Sequence, residues 1–164
     1  MTSMVLQLAT EADRERVKVI RLEALLTDPG VYGSTYARES GYDEAAWRAW
    51  TASPGRCMFL LLTEETPIGL TGVTTNRDDP TTAICVASYL KPAYRGQKLS
   101  RLFYQARIDW AREHGYQRLV VGHRLSNTAS MHANQAFGFR ETHQEPHVWP
   151  DGTSEPEVLY ELLL

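Results

Sequence analysis

Between residues 56 and 90 the chain holds three strand-length apolar runs separated by only two short turns, and no other feature constrains the fold as much. The first run covers 56–64. Glu65, Thr66 and Pro67 turn it into a second run over 68–76, and Arg77, Asp78, Asp79 and Pro80 turn that into a third over 81–90. Connections this short join antiparallel neighbours, so the three runs are expected as a meander.

The periodicity then changes. Leu99, Leu102, Phe103, Ala106 and Trp110 recur at helical spacing, which predicts one apolar helix face over 96–114 with Gly115 as the C-terminal cap. Leu119 to His123 reads as a buried strand, and a short helix over 128–137 stops at Gly138. Two last strands, 139–144 and 158–164, flank a loop containing Pro150, Asp151 and Gly152. Upstream, residues 4–9 alternate like a strand. Thr10 and Asp13 mark a helix start, and Val17, Ile20, Ala24 and Leu25 carry that helix to the stop at Asp28, Pro29 and Gly30. Residues 31–41 read as a long loop, and 43–51 as a short helix bearing Trp47 and Trp50. The order β-α-α-β-β-β-α-β-α-β-β describes an α+β fold, a mostly antiparallel sheet flanked by helices. With 164 residues and no repeat or linker, a single domain over 1–164 is expected.

A formal net charge of -3 argues against a nucleic-acid partner held by a broad basic face. No run approaches the roughly 20 apolar residues of a membrane span, and the acidic residues near the N-terminus do not suit a signal peptide, so a cytoplasmic protein without a membrane partner is expected. Cys57 and Cys85 lie in apolar runs and read as reduced core thiols.

Residues 92–101 join a strand to a helix. A helix start offers free N–H groups and partial positive charge, which suit a pyrophosphate. Gly96 allows close backbone approach, Arg95, Lys98 and Arg101 add charge, and Ser100 adds a hydroxyl. The alternative is a tight turn with solvated basic residues. Taken with the following helix and strand, Asn127, Gly138 and Phe139, the Pro92-x-x-Arg95-Gly96 segment resembles the GNAT superfamily of N-acetyltransferases. The resemblance covers nearly the whole chain and is strongest over 89–139.

That resemblance implies acetyl-coenzyme A as co-substrate, held by Arg95, Gly96, Gln97, Lys98, Leu99, Ser100 and Arg101. Against the family motif R/Q-x-x-G-x-G/A, Lys98 stands at the central glycine and Ser100 at the final small residue. A lysine can still donate its N–H there, provided that the position needs no positive φ. The resemblance further implies that Ser88, Tyr89 and Leu90 form a splayed strand end along the pantetheine arm, that the Leu90 N–H polarises the thioester carbonyl, and that Asn127 contacts the arm. Asn134 stands where many members carry an acidic tyrosine. Ile84 and Gly122 stand where many carry a glutamate, so the usual acid–base pair is missing. Asn134 then serves the cofactor or a bridging water, or Tyr89, Tyr94, Tyr104, His123 or His132 moves the proton, or the protein binds acyl-coenzyme A without catalysis.

Tyr32 and Tyr36, with Glu145 and Trp149, are expected to line the acceptor pocket for a small amine, amino acid or amino-metabolite. A peptide N-terminus or lysine is the alternative acceptor. The equally weighted alternative for the Glu145–Trp149 loop is a solvated hairpin with a packed tryptophan. His143 and His147 have metal-like spacing, but Pro146 breaks any helix that would align them, so no metal is expected. A homodimer through the last strands is the expected assembly.

Overall fold

The computed structural model describes residues 3–164. In chain order the strands are β1 (Met4–Leu8), β2 (Ala52–Ser53), β3 (Arg56–Thr63), β4 (Thr66–Thr75), β5 (Thr82–Leu90), β6 (Arg118–Arg124), β7 (Arg140–Glu145) and β8 (Glu157–Leu163). The helices are α1 (Arg14–Thr27), α2 (Tyr36–Glu39), α3 (Glu44–Thr51), α4 (Ser100–Glu113) and α5 (Thr128–Ala136). The strands form one sheet in the order β1-β3-β4-β5-β6-β8-β7, with the short β2 paired to β3. All neighbours are antiparallel except β5 and β6. The expected fold is therefore present, with its meander in β3, β4 and β5.

The parallel pair is short. Only Thr82, Ala83 and Ile84 face Arg118, Leu119 and Val120. Beyond them β5 and β6 part. A register shift against β4 between Leu70 and Gly72 accompanies the parting, and Ala87 sits within it at φ 63°. An extra residue in one strand bends it and increases its twist.

Alternation places the side chains on two faces. Val17, Ile20, Ala24 and Leu25 of α1 pack with Met58, Leu60, Leu62, Leu70 and Tyr89 on one face. Tyr104, Ile108, Trp110 and Ala111 of α4 pack with Val73, Ala83, Leu119, Val158 and Tyr160 on the other.

Three local details differ from the sequence reading. The hairpin between β3 and β4 turns at Glu64 and Glu65, both at positive φ (49° and 67°), while Thr66 and Pro67 already belong to β4. A two-residue turn of mirror-image type matches strand twist, which is why the turn sits one residue earlier than its proline suggests. Within the expected loop 31–41, α2 forms, capped by Thr35 Oγ1, which accepts from the Arg38 N–H (3.1 Å). The long helix starts at Ser100 and not at 96, because the backbone over 96–99 alternates in handedness.

The buried ion pair of Arg21 and Glu39 explains why that loop folds. Arg21 Nε and Nη2 donate to Glu39 Oε1 and Oε2 at 2.8 and 2.9 Å. The Arg21 guanidinium also lies 4.8 Å from the Tyr32 ring centroid and 5.1 Å from that of Trp50. Burial alone would raise the Glu39 carboxyl, but the hydrogen bonds and charge of Arg21 hold it below its ordinary value. Its contribution to stability is therefore present above the unfolded-state pKa and is lost as pH falls through the folded one. Glu39→Ala strands a buried cation, and urea unfolding at neutral pH should show a loss of about 3–5 kcal/mol.

Candidate active site

The parting of β5 and β6 opens a notch through the sheet, and a cavity of about 1010 Å³ occupies it. The cavity has two ends. On the α1 face its lining includes Tyr32, Arg21, Trp50, Arg56, Gly122, Glu157 and Trp149, and on the α4 face Ser100, Tyr104, Arg107, Asn127, Ser130 and Asn134.

The turn before α4 has the geometry of an anion cradle. Arg95 is extended (φ -75°, ψ 155°), Gly96 follows at φ 80° and Lys98 at φ 61°. Alternating handedness points successive amides into one concavity. Among the described residues, the four amides of 96–99 have no acceptor within the chain. Lys98 thus occupies the left-handed conformation, so the position does need a positive φ. A single non-glycine residue there costs about 1–2 kcal/mol. Gln97, Ser100 and Arg101 are exposed beside the cradle.

The Arg95 side chain does not point into this turn. Its Nε donates to the Leu90 carbonyl (2.8 Å) and its Nη2 to Asp28 Oδ2 (2.8 Å), so it fastens the end of β5 to the end of α1. The Ser88 carbonyl is also engaged, by the Tyr32 hydroxyl at 2.9 Å. Donors, not acceptors, are therefore what this strand end offers. The Lys91 N–H pairs with Ile68 on β4 (2.9 Å), so antiparallel alternation turns the Leu90 N–H away from β4. The Tyr89 side chain faces α1 instead, its hydroxyl donating to Glu23 Oε2 (2.7 Å).

On the α4 face, Asn127 caps α5, its side-chain oxygen accepting from the Ser130 N–H (3.1 Å). Asn134 is 1% exposed. Its Oδ1 accepts from the Tyr104 hydroxyl, and its buried Nδ2 has no partner. Tyr104 therefore places a phenol from α4 against Asn134, the residue that stands where the resemblance puts a tyrosine. Next to it lies Arg107, a residue passed over in the sequence. It is 3% exposed, donates to the Ser88 Oγ (2.9 Å) and the Phe103 carbonyl (3.2 Å), and has no carboxylate partner among the described residues. An orphaned amide nitrogen, four free backbone donors and an unpaired guanidinium suit a ligand with a phosphate end and a polar arm such as coenzyme A.

On the α1 face the cavity wall is built around Arg124. Its Nη1 donates to the Gly30 carbonyl (2.9 Å) and Asp151 Oδ2 (2.8 Å), its Nη2 to Glu155 Oε2 (3.2 Å), and its guanidinium lies 5.2 Å from the Trp149 ring centroid. The side-chain bond from Arg124 is the main cause that holds the Asp151 carboxyl down to about 2. Trp149 is buried and lines the cavity, as does Tyr32, while Glu145 lines it from an exposed position paired with His143 (2.9 Å). Tyr36 opens α2 at 40% exposure and is not part of the lining. Arg56 joins this wall, 4.9 Å from the Trp50 ring centroid, and its one side-chain hydrogen bond among the described residues runs from Nε to the Trp50 carbonyl (2.8 Å).

Two of the histidine candidates are placed elsewhere or already engaged. His123 is buried, with one ring nitrogen on the Arg124 carbonyl and the other on the Tyr160 hydroxyl (3.2 Å). His132 is exposed on α5 and does not line the cavity. Glu157, which the sequence reading missed, does line it. A Cβ added at Gly122 would meet Glu157 Oε2 at 3.0 Å, so this carboxylate occupies the space in front of the glycine. Only the β6–β8 register, with Gly122 facing Leu159 and Arg124 facing Glu157, reveals that proximity.

With this geometry in view, comparison with known proteins is decisive for the family. The Acetyltransferase (GNAT) family matches residues 7–139. The chain belongs to that family. An L-amino acid N-acyltransferase, MnaT of Escherichia coli (strain K12), is 38% identical over 60 residues, a segment covering 37% of this chain and 35% of that relative. The structure of yncA from Salmonella typhimurium with its cofactor acetyl-CoA superposes with a TM-score of 0.83 at 23% identity, covering 99% of this chain and 94% of that one. A ribosomal-protein-alanine N-acetyltransferase from Brucella melitensis gives a TM-score of 0.81 at 19% identity, covering 98% and 99%. These two likenesses show the shared fold. Among the described residues no helix is long and apolar enough to cross a membrane, and no group of three or more His, Cys, Asp or Glu side chains is placed to hold a metal ion.

Lys98 offers a direct test of the cradle. Lys98→Gly should keep the amide cradle and lose one exposed charge, weakening acetyl-CoA binding by no more than about fivefold, and should leave stability unchanged or raise it by up to about 1 kcal/mol, since relief of the left-handed strain is partly offset by the added entropy of the unfolded chain. Lys98→Glu should weaken binding about tenfold or more by placing an anion at the amide cradle, an effect of at least ~1.4 kcal/mol in a calorimetric titration.

Proposed function

We propose that this chain is a single acetyltransferase domain that moves an acetyl group from acetyl-CoA to the primary amine of a small acceptor, by direct transfer, with an amino acid as the favoured class. The observation that carries the reading is the notch itself, whose cavity runs from Ser100, next to the anion cradle, on one face of the sheet to a separate, charged chamber on the other. Two substrates entering from opposite faces can meet there without displacing each other.

Acetyl-CoA supplies an acyl group on a thioester. The amides of 96–99 and the Lys98 charge hold its phosphates, Asn127 and Asn134 line its channel, and the Leu90 N–H donates to the acyl oxygen. Arg107 places a positive charge on the side from which the thiol departs, and an ordinary thiol pKa near about 8.5 makes that departure tolerable. Burial pushes the Cys85 thiol up, so it stays protonated, which favours direct attack by the amine over an acyl-cysteine route.

Two features support an amino acid acceptor. The MnaT relative is named for that activity. In the chamber, Arg56 is desolvated and has no carboxylate partner, so an acceptor carboxylate would complete it. Tyr32, Glu145 and Trp149 provide the rest of the chamber wall. The exposed edge strand β7 is the surface through which we propose that two copies pair.

A panel of amino acids, their decarboxylated amines and short peptides, followed by free-thiol release, tests this function. Amino acids should turn over fastest, and Arg56→Met should lower kcat/KM for them about tenfold or more while leaving decarboxylated amines within about twofold. Acetyl-CoA binding without thiol release for any amine would instead identify a non-catalytic acyl-CoA-binding module, and peptides turning over fastest would identify a protein acetyltransferase.

A further inference from the structure

We infer that Glu157 is the proton acceptor of the transfer, reaching from β8 into the space that Gly122 leaves open on β6. The inference rests on the acetyltransferase reading. Three features of the geometry carry it. First, Gly122 lies two residues beyond Val120, the last residue of β6 paired with β5, so it borders the notch where the strands have just parted. Second, the Glu157 carboxylate stands directly before that glycine, with Oε2 3.0 Å and Cδ 3.1 Å from where a Cβ would be. Third, Glu157 lines the cavity half-buried and its carboxylate has no hydrogen-bond partner among the described residues, although most other acidic side chains around the chamber are paired. An unpaired carboxylate at a cavity wall keeps both oxygens available to a ligand.

The charged groups around it leave the carboxylate free. Arg124, its register partner on β6, commits its guanidinium to Asp151, Glu155 and the Gly30 carbonyl. Glu145, its register partner on β7, pairs with His143. His147, from the loop after β7, and His123, from β6, lower its pKa, and Glu145 raises it. Burial is the largest influence, and the net result lies above the ordinary value for a glutamate. A carboxyl raised in this way is a better base for an ammonium than a solvated one.

In the step, a Glu157 oxygen takes one proton from the acceptor ammonium. The freed nitrogen lone pair forms the C–N bond, and the C–S bond breaks with its electron pair staying on sulfur. The second nitrogen proton passes to that sulfur, and Glu157 returns its proton to water. The net products are the amide, the free thiol and one proton.

The experiment compares wild type, Glu157→Gln and the double variant Gly122→Glu/Glu157→Ala. The double variant supplies the carboxylate from β6, and the added Cβ needs only a small shift of the Leu159 side chain, which it would meet at 3.1 Å. Glu157→Gln should lower kcat about 100-fold or more, remove the acidic limb of the pH profile and leave acetyl-CoA affinity within about twofold. The double variant should recover about tenfold or more of the loss.

A second readout does not depend on turnover. A carboxyl whose folded pKa is raised binds its proton more tightly in the folded state, so wild-type stability falls as pH rises from the unfolded pKa through the folded one. Glu157→Gln should lose that slope and melt a few degrees higher at neutral pH. If wild type turns over amines and Glu157→Gln matches it in kcat, or changes only the KM for the amine, the inference is overturned and the function stands. If wild type turns over no amine, both are overturned.

Discussion

The parting of β5 from β6 is the feature on which everything else in this molecule depends. Among the described residues, three residue pairs hold the one parallel contact in an otherwise antiparallel sheet. Past that contact the bulge at Ala87 bends β5 away, and among the described residues no strand covers the edges thus released. Unpaired backbone groups inside a protein are costly unless something satisfies them. Here the chain satisfies some itself, through Tyr32 on the Ser88 carbonyl and Arg95 on the Leu90 carbonyl, and leaves donors on the open side. The sheet is built to be incomplete in a directed way.

The two faces of the notch differ in their electrostatics. Among the described residues, the α4 face offers free donors, the amides of 96–99 and the Asn134 amide nitrogen, and a cation without a carboxylate partner, Arg107. On the α1 face cations and carboxylates stand side by side, with Arg56 on one wall and Glu157 on the floor. In the function we propose, the first face takes the phosphate-bearing ligand and the second takes the small zwitterion. The Arg21–Glu39 pair and the Arg124 cluster keep this second face in shape, tying the 31–41 segment and the 146–156 loop to α1 and β6. Both clusters stack their guanidinium groups on tryptophan, so the chamber walls are held by planar contacts as well as by charge.

Lys98 and Glu157 show the same economy in opposite ways. At Lys98 the backbone takes the left-handed geometry of a glycine position, with a charged and exposed side chain. At Gly122 the side chain has gone, and a neighbouring strand fills the gap.

The sequence by itself determined the element order, the meander, the amphipathic face of α4 and the basic turn before it, because periodicity and turn residues act over a few neighbouring positions. It also determined family membership, through residues clustered between 89 and 139. Tertiary structure alone decided where side chains from distant elements meet. The handedness of Lys98, the diversion of Arg95 to Asp28, the approach of Tyr104 to Asn134 and that of Glu157 to Gly122 follow from strand register and helix packing. Those depend on the whole sheet and leave no mark at the short range that sequence patterns record.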